Sequence, residues 1–223
     1  MNKKKTAIYI LLTFCFSYGL GFLLKDKYFL ASSTMFFGFL QTHFMSNGKW
    51  FEEFFGMFET FSSTLVCILS CMYGSAIFTI LVYLPLSIFS IVNWKINEED
   101  KVVKLNKMSL KQSILTILVV LISMFVVANL LSFIPTQKLA FWNSATEILN
   151  ICALLLIALR YKEGWLVWVI ANFVELVMWI LAYIHGYSQN ALMMIILSAL
   201  YIILNSYGYI SFVKLRKKQE GKI

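Results

Sequence analysis

Eight apolar runs, at 6–24, 28–46, 52–70, 74–94, 112–133, 142–159, 164–184 and 189–212, take up most of this 223-residue chain. Each is close to the ~20 residues an α-helix needs to cross the hydrocarbon layer of a bilayer. Within that layer every backbone N–H and C=O must find its partner inside the protein, which excludes open sheets and irregular chain facing lipid. Composition points the same way: hydrophobic residues make up 60%, charged residues only 13%, and there are two prolines. The longest polar stretch, Asn93 to Lys111, is too short to bury a core of its own. The expected fold is all-α, a polytopic membrane protein of eight transmembrane helices.

The net charge of +8 is sorted by side of the membrane. With the N-terminus inside, one face receives Lys3, Lys4, Lys5, Lys49, Lys95, Lys101, Lys104, Lys107, Lys111, Arg160, Lys162, Lys214, Arg216, Lys217, Lys218 and Lys222. The other receives Lys25, Lys27 and Lys138, a division of 16 against 3 among 19 basic residues. By the positive-inside rule this places both termini in the cytoplasm of a cell whose inner or plasma membrane holds the chain. The charge therefore reflects topology and anionic headgroups, and no nucleic-acid partner is implied. The first run, of about 19 residues, exceeds the h-region of a signal peptide and lacks an A-x-A-like site after it, so an uncleaved first helix is expected.

Short breaks group the runs. The chain reads as an extra N-terminal helix (1–27), a first triplet (28–95), a charged cytoplasmic loop with one linking helix (96–141), and a second triplet with a basic tail (142–223). The triplets look like copies. Gly48-Lys-Trp50 and Glu163-Gly-Trp165 open their middle helices, and Glu59 and Glu175 follow nine and ten residues after those tryptophans. Met72-Tyr-Gly74 and His185-Gly-Tyr187 turn into their last helices, which end at Trp94-Lys95 and Phe212-Val-Lys214. A single helix between two odd-numbered triplets gives both the same orientation, a 3+1+3 core of parallel repeats.

Polar residues inside the runs mark one interior. Trp165, Trp168, Asn172, Glu175 and Trp179 are spaced by 3 or 4 and share a helical face. Asn143, Glu147 and Asn150 do so in the preceding helix, and Ser198, Tyr201 and Asn205 in the following one. The first triplet has Gln41 and His43, then Glu52, Gly56, Glu59 and Ser63, then Tyr83, Ser87, Ser90 and Trp94. No Lys or Arg falls at the depth of Glu59, Glu147 or Glu175. Each carboxyl is therefore protonated, hydrogen-bonded, in water, or opposite a cationic ligand. Glu147, near the outer end of its run, is expected in headgroup water. Glu175, midway along, is assigned to a water-filled substrate path, with structural hydrogen bonding as the other reading. Trp165 suits an interfacial belt, and His43 and His185 read as helix-end and loop residues. A face that combines tryptophan, amide and carboxylate suits a flat, cationic heterocycle.

Cys15, Cys67, Cys71 and Cys152 all fall inside or at the ends of apolar runs and read as packing residues. No GxxxxGK[ST], HExxH, CxxC or GxSxG motif occurs, so neither an enzyme nor a cofactor or metal site is expected.

Around Trp165-Leu-Val-Trp-Val-Ile-Ala-Asn172, with Lys162-Glu-Gly before it and Gly186-Tyr187 after it, the chain resembles the PnuC family of vitamin transporters. The likeness extends through Tyr207-Gly-Tyr209 and, in the first triplet, Tyr73-Gly74, Tyr83-Leu-Pro85 and Trp94-Lys95. It departs at Phe212, where the family commonly has tryptophan, and in the crowding of Glu52, Glu53 and Glu59. The resemblance implies a SWEET-like core and facilitated diffusion of nicotinamide riboside, which a cytoplasmic kinase traps by phosphorylation. Thiamine or another B vitamin, and a proton-coupled variant, are the alternatives. By motif position, the substrate contacts would include Trp165, Trp168 and Asn172. The full expected site is Trp165, Trp168, Asn172, Glu175, Trp179, Tyr201 and Asn205, with Gln41 and Glu59 from the first triplet. The partners are this small molecule and the lipid bilayer, and a homo-oligomer is left open.

Overall fold

A computed structural model describes residues 3–221; Met1, Asn2, Lys222 and Ile223 lie outside the described residues, as does the side chain of Lys3. The helices are α1 (Lys3–Leu23), α2 (Leu30–Ser46), α3 (Glu52–Leu69), α4 (Gly74–Phe78), α5 (Leu84–Ile96), α6 (Leu110–Ser132), α7 (Ala140–Ala158), α8 (Glu163–Ile184) and α9 (Ala191–Gln219). A π-helical turn over Thr79–Tyr83 joins α4 to α5, so the described residues form eight rods, one per apolar run. Between α5 and α6 sits a hairpin of β1 (Glu98–Glu99) and β2 (Val102–Val103).

Six rods are long and apolar enough to cross a membrane: α1, the α4–α5 rod, and α6 to α9. By the same measure α2, with 17 residues, and α3, which carries Glu52, Glu53 and Glu59, fall outside it. The expectation of eight transmembrane helices is met in number of rods and, by length and composition, for six of them. Helix α9 runs past the expected end at 212 to Gln219, because Arg216, Lys217 and Lys218 in its last turn suit the negative end of a helix dipole. Helix α6 starts on a capping box in which Ser109 and Gln112 satisfy each other's backbone N–H. Its flank is exposed and apolar, with Leu115 62%, Ile122 64% and Phe125 69% accessible, as a lipid-facing helix requires.

The remaining rods enclose a core in two layers. Met35, Met72, Met178, Trp179, Met194 and Leu197 belong to one. Met45, Trp94, Val103, Ile157, Trp165 and Phe212 form the other. Between these apolar layers the polar residues of the helices meet.

Candidate functional site

The space between the layers is a cavity of about 120 Å³. Helix α2 lends it Gln41, α3 Glu53 and Glu59, and the α4–α5 rod Ser75, Thr79 and Tyr83. Helix α7 adds Glu147 and Asn150, α8 adds Trp168, Asn172 and Glu175, and α9 adds Tyr201 and Asn205. Among the described residues no Lys, Arg or His lines it.

Four carboxyl groups face this space, and hydroxyl, amide and indole groups hold them. Ser87 donates to Glu53 Oε1 at 2.6 Å and Gln41 Nε2 to Oε2 at 3.3 Å. Ser75 donates to Glu147 Oε1, and Tyr83 to its Oε2 at 3.0 Å. The indole N–H of Trp179 donates to Glu175 Oε1 at 3.2 Å. Glu59 has the thinnest support, a 3.4 Å contact from its neighbour Thr60. The ion pairs Lys104–Glu99 and Arg216–Glu220 lie elsewhere, in the α5–α6 loop and at the end of α9. The cavity thus gathers negative or proton-bearing groups without a counter-cation of its own.

The aromatic and amide groups are fixed by close helix contacts. Asn172 donates its amide to Trp168 O at 2.7 Å. Tyr201 reaches across to α2 at Gly38, where a Cβ would run into its hydroxyl and stand 3.1 Å from Glu59 Cγ. Only a residue without a side chain admits the ring there. That hydroxyl is buried and has no hydrogen-bond partner, so a donor beside Glu59 is free for a ligand.

Of the nine residues expected at the site, Trp168, Asn172, Glu175, Tyr201, Asn205, Gln41 and Glu59 line the cavity. Trp165 and Trp179 do not. The stripe from Trp165 to Trp179 spans about 21 Å at 1.5 Å per residue, and its two ends lie in the two apolar layers. Trp165 is fully buried against Phe212 (5.4 Å between ring centres) and Trp168 (5.7 Å), and is no interfacial belt residue. Trp179 is also fully buried and reaches the site only through Glu175. Glu147, expected in headgroup water, is instead 6% exposed and bound by Ser75 and Tyr83. Its distance from the helix end was a poor guide because the α4–α5 rod covers it. The cavity groups missed from sequence include Glu53, Thr64, Ser75, Thr79 and Thr146; Ser75 and Thr79 had a usable signal, since with Tyr83 and Ser87 they recur every four residues along one rod.

The family described as nicotinamide mononucleotide transporter matches residues 28–214. The nicotinamide riboside transporter PnuC of Neisseria mucosa is 25% identical over 211 residues, 90% of this chain and 78% of that protein. Its namesake in Haemophilus influenzae is 24% identical over 185 residues, 81% of this chain and 77% of that protein. A crystal structure of the vitamin B3 transporter PnuC shares the fold, with a TM-score of 0.79 over 95% of this chain and 92% of that one at 23% identity. With the matched region spanning seven of the eight rods, this chain belongs to the nicotinamide mononucleotide transporter family, a family of transporters and not of enzymes.

Proposed function

We propose that this chain carries nicotinamide riboside, the dephosphorylated nucleoside, across the membrane by facilitated diffusion. The observation that carries the reading is a cavity with four carboxyl groups, two tyrosines and a tryptophan and, among the described residues, no basic side chain. Nicotinamide riboside brings a flat pyridinium cation, a carboxamide and ribose hydroxyls. The cation suits Glu175 and Glu59: opposite charges about 4 Å apart are worth ~4 kcal/mol at an effective dielectric near 20. Trp168 offers a ring face for the pyridinium, Asn172, Asn205 and Gln41 offer amides, and Tyr201 offers its unpaired hydroxyl. A mononucleotide adds a phosphate, and an uncompensated buried charge costs several kcal/mol. The riboside therefore fits this cavity better than the nucleotide of the family description.

In this reading α2 to α5 and α7 to α9 are two parallel triplets joined by α6, a 3+1+3 core in which α2 and α3 also span the bilayer and both termini are cytoplasmic. The triplets rock about the cavity to give alternating access, and a cytoplasmic kinase traps the cargo by phosphorylation. Thiamine, also a ring cation, is the competing cargo that the same carboxyl groups favour.

Uptake into liposomes tests this directly. Labelled nicotinamide riboside should enter without any proton or sodium gradient and stop when inside and outside concentrations are equal. Glu175→Gln should raise KM for the riboside about tenfold or more. Entry that requires an ion gradient overturns the uniport mechanism, and preferential uptake of thiamine overturns the cargo.

A further inference from the structure

The loop between α5 and α6 holds three other segments together. Its strands pair antiparallel, Glu98 opposite Val103 and Glu99 opposite Val102. In the turn between them both Asp100 (φ 49°) and Lys101 (φ 63°) are left-handed, the conformation of a type I′ hairpin. Val103 N donates to Gly48 O at 3.1 Å, and Lys49 Nζ to Lys101 O at 2.7 Å, which ties the hairpin to the α2–α3 turn. Asn106 N donates to Arg160 O at 2.9 Å and Arg160 Nη1 to Lys104 O at 3.1 Å, which ties the loop to the α7–α8 turn. Gln219, at the end of α9, donates to Val103 O at 2.8 Å and accepts from Leu105 N at 3.0 Å. Val103 itself is fully buried in the layer of Trp94, Trp165 and Phe212. That layer lies between this end of the protein and the cavity, whose border here is Met45 and Trp168.

We propose that the 97–106 segment is the latch of the gate at this end. The apolar layer parts only after the hairpin has released the two inter-helix turns and Gln219, and Val103 has withdrawn. The latch sets how often the cavity opens to this side. The latch requires that the chain be a transporter, whatever its cargo.

Cys67 lines the cavity and reports its opening without a substrate. With Cys15, Cys71 and Cys152 replaced by serine, a membrane-impermeant maleimide is applied to oriented vesicles from either side. Gln219→Ala removes two of the ties, and a Gly-Ser segment in place of 98–103 removes the hairpin. Labelling of Cys67 from the hairpin's side is expected to rise about threefold in the first and about tenfold or more in the second, with no rise from the other side. Unchanged labelling in Gln219→Ala, or a rise from both sides alike, overturns the latch. Gel filtration checks folding, and if the Gly-Ser protein does not fold, Gln219→Ala decides alone.

Discussion

Trp179 donates its indole N–H to Glu175 from one helical turn away while its ring sits with no exposure in the apolar layer beyond the cavity. The layer fixes the ring and the ring holds the carboxyl, and Trp179 is not among the lining residues, so the role proposed for it is to position Glu175. Truncation to alanine would leave a core hole that costs ~3–5 kcal/mol and confound the reading. Trp179→Phe keeps most of the packing and removes only the donor. A hydrogen bond to a charged group contributes ~1.5–3 kcal/mol, and part of that will be recovered by water in the cavity. The expected outcome is a KM for the cationic cargo raised about three- to tenfold with kcat within about twofold, measured by proteoliposome uptake. A residue that served only packing would lower Tm and leave KM unchanged. The sequence already held the i,i+4 relation of this pair. It did not hold the height of the cavity, which makes one of the two a lining residue and the other its support.

The fourth rod carries its function in a departure from helical regularity. Over Thr79–Tyr83 the helix widens, and Leu84 N–H donates to Thr79 O five residues back. Pro85 follows at once; it has no N–H for the carbonyl of Leu81, and its ring would crowd that oxygen in a tight helix. The wide turn relieves the clash. It also sets which way the rod faces: steps of four residues overshoot an α-helical turn by about 40° each, and a wider turn takes some of that back. Ser75, Thr79 and Tyr83 thereby all reach the cavity, and Thr79 meets Thr64 of α3 at 2.5 Å. Pro85→Ala lets the turn tighten to α-helix and rotates Ser75 and Thr79 off the cavity. Helix propensity then favours the variant by up to ~3 kcal/mol, so Tm should hold or rise while uptake falls by about fivefold or more. Lost uptake with a collapsed Tm would assign Pro85 to stability alone. The rods themselves were legible in the apolar runs to within a few residues, except at the basic end of α9. The π turn was not: Pro85, in the middle of the run 74–94, marks a break in helical regularity but does not say which form the break takes. Nor was the cover over Glu147, because burial of that side chain depends on a rod 64 residues away in the chain.

A multi-pass membrane transporter must hold a polar cargo where lipid would reject it, and in the proposed reading this chain does so with acidic groups placed between two apolar layers. Glu53, Glu59, Glu147 and Glu175 come from three different helices, α3, α7 and α8, so the field in the cavity belongs to the assembled bundle and to no single motif. Glu53 and Glu147 are each held by two donors from other rods or turns, which ties α3 and α7 to those elements. Glu59 of α3 and Glu175 of α8 are less restrained, and Glu59 lies beside the unpaired Tyr201 hydroxyl. These two should therefore set the charge preference while the other pair sets the shape. Replacing both with glutamine keeps volume and hydrogen-bonding capacity and removes up to two negative charges. In the parent, a hundredfold excess of the mononucleotide should not compete with nicotinamide riboside uptake, thiamine should compete clearly, and a neutral nucleoside hardly at all. In Glu59→Gln/Glu175→Gln the advantage of cationic over neutral competitors should shrink by about tenfold to a hundredfold, one to two powers of ten for a field worth several kcal/mol. Glu53→Gln should instead lower Tm and leave the order of competitors as it was. A competitor order in the double variant identical to the parent's would mean that shape, and not the acidic field, selects the cargo.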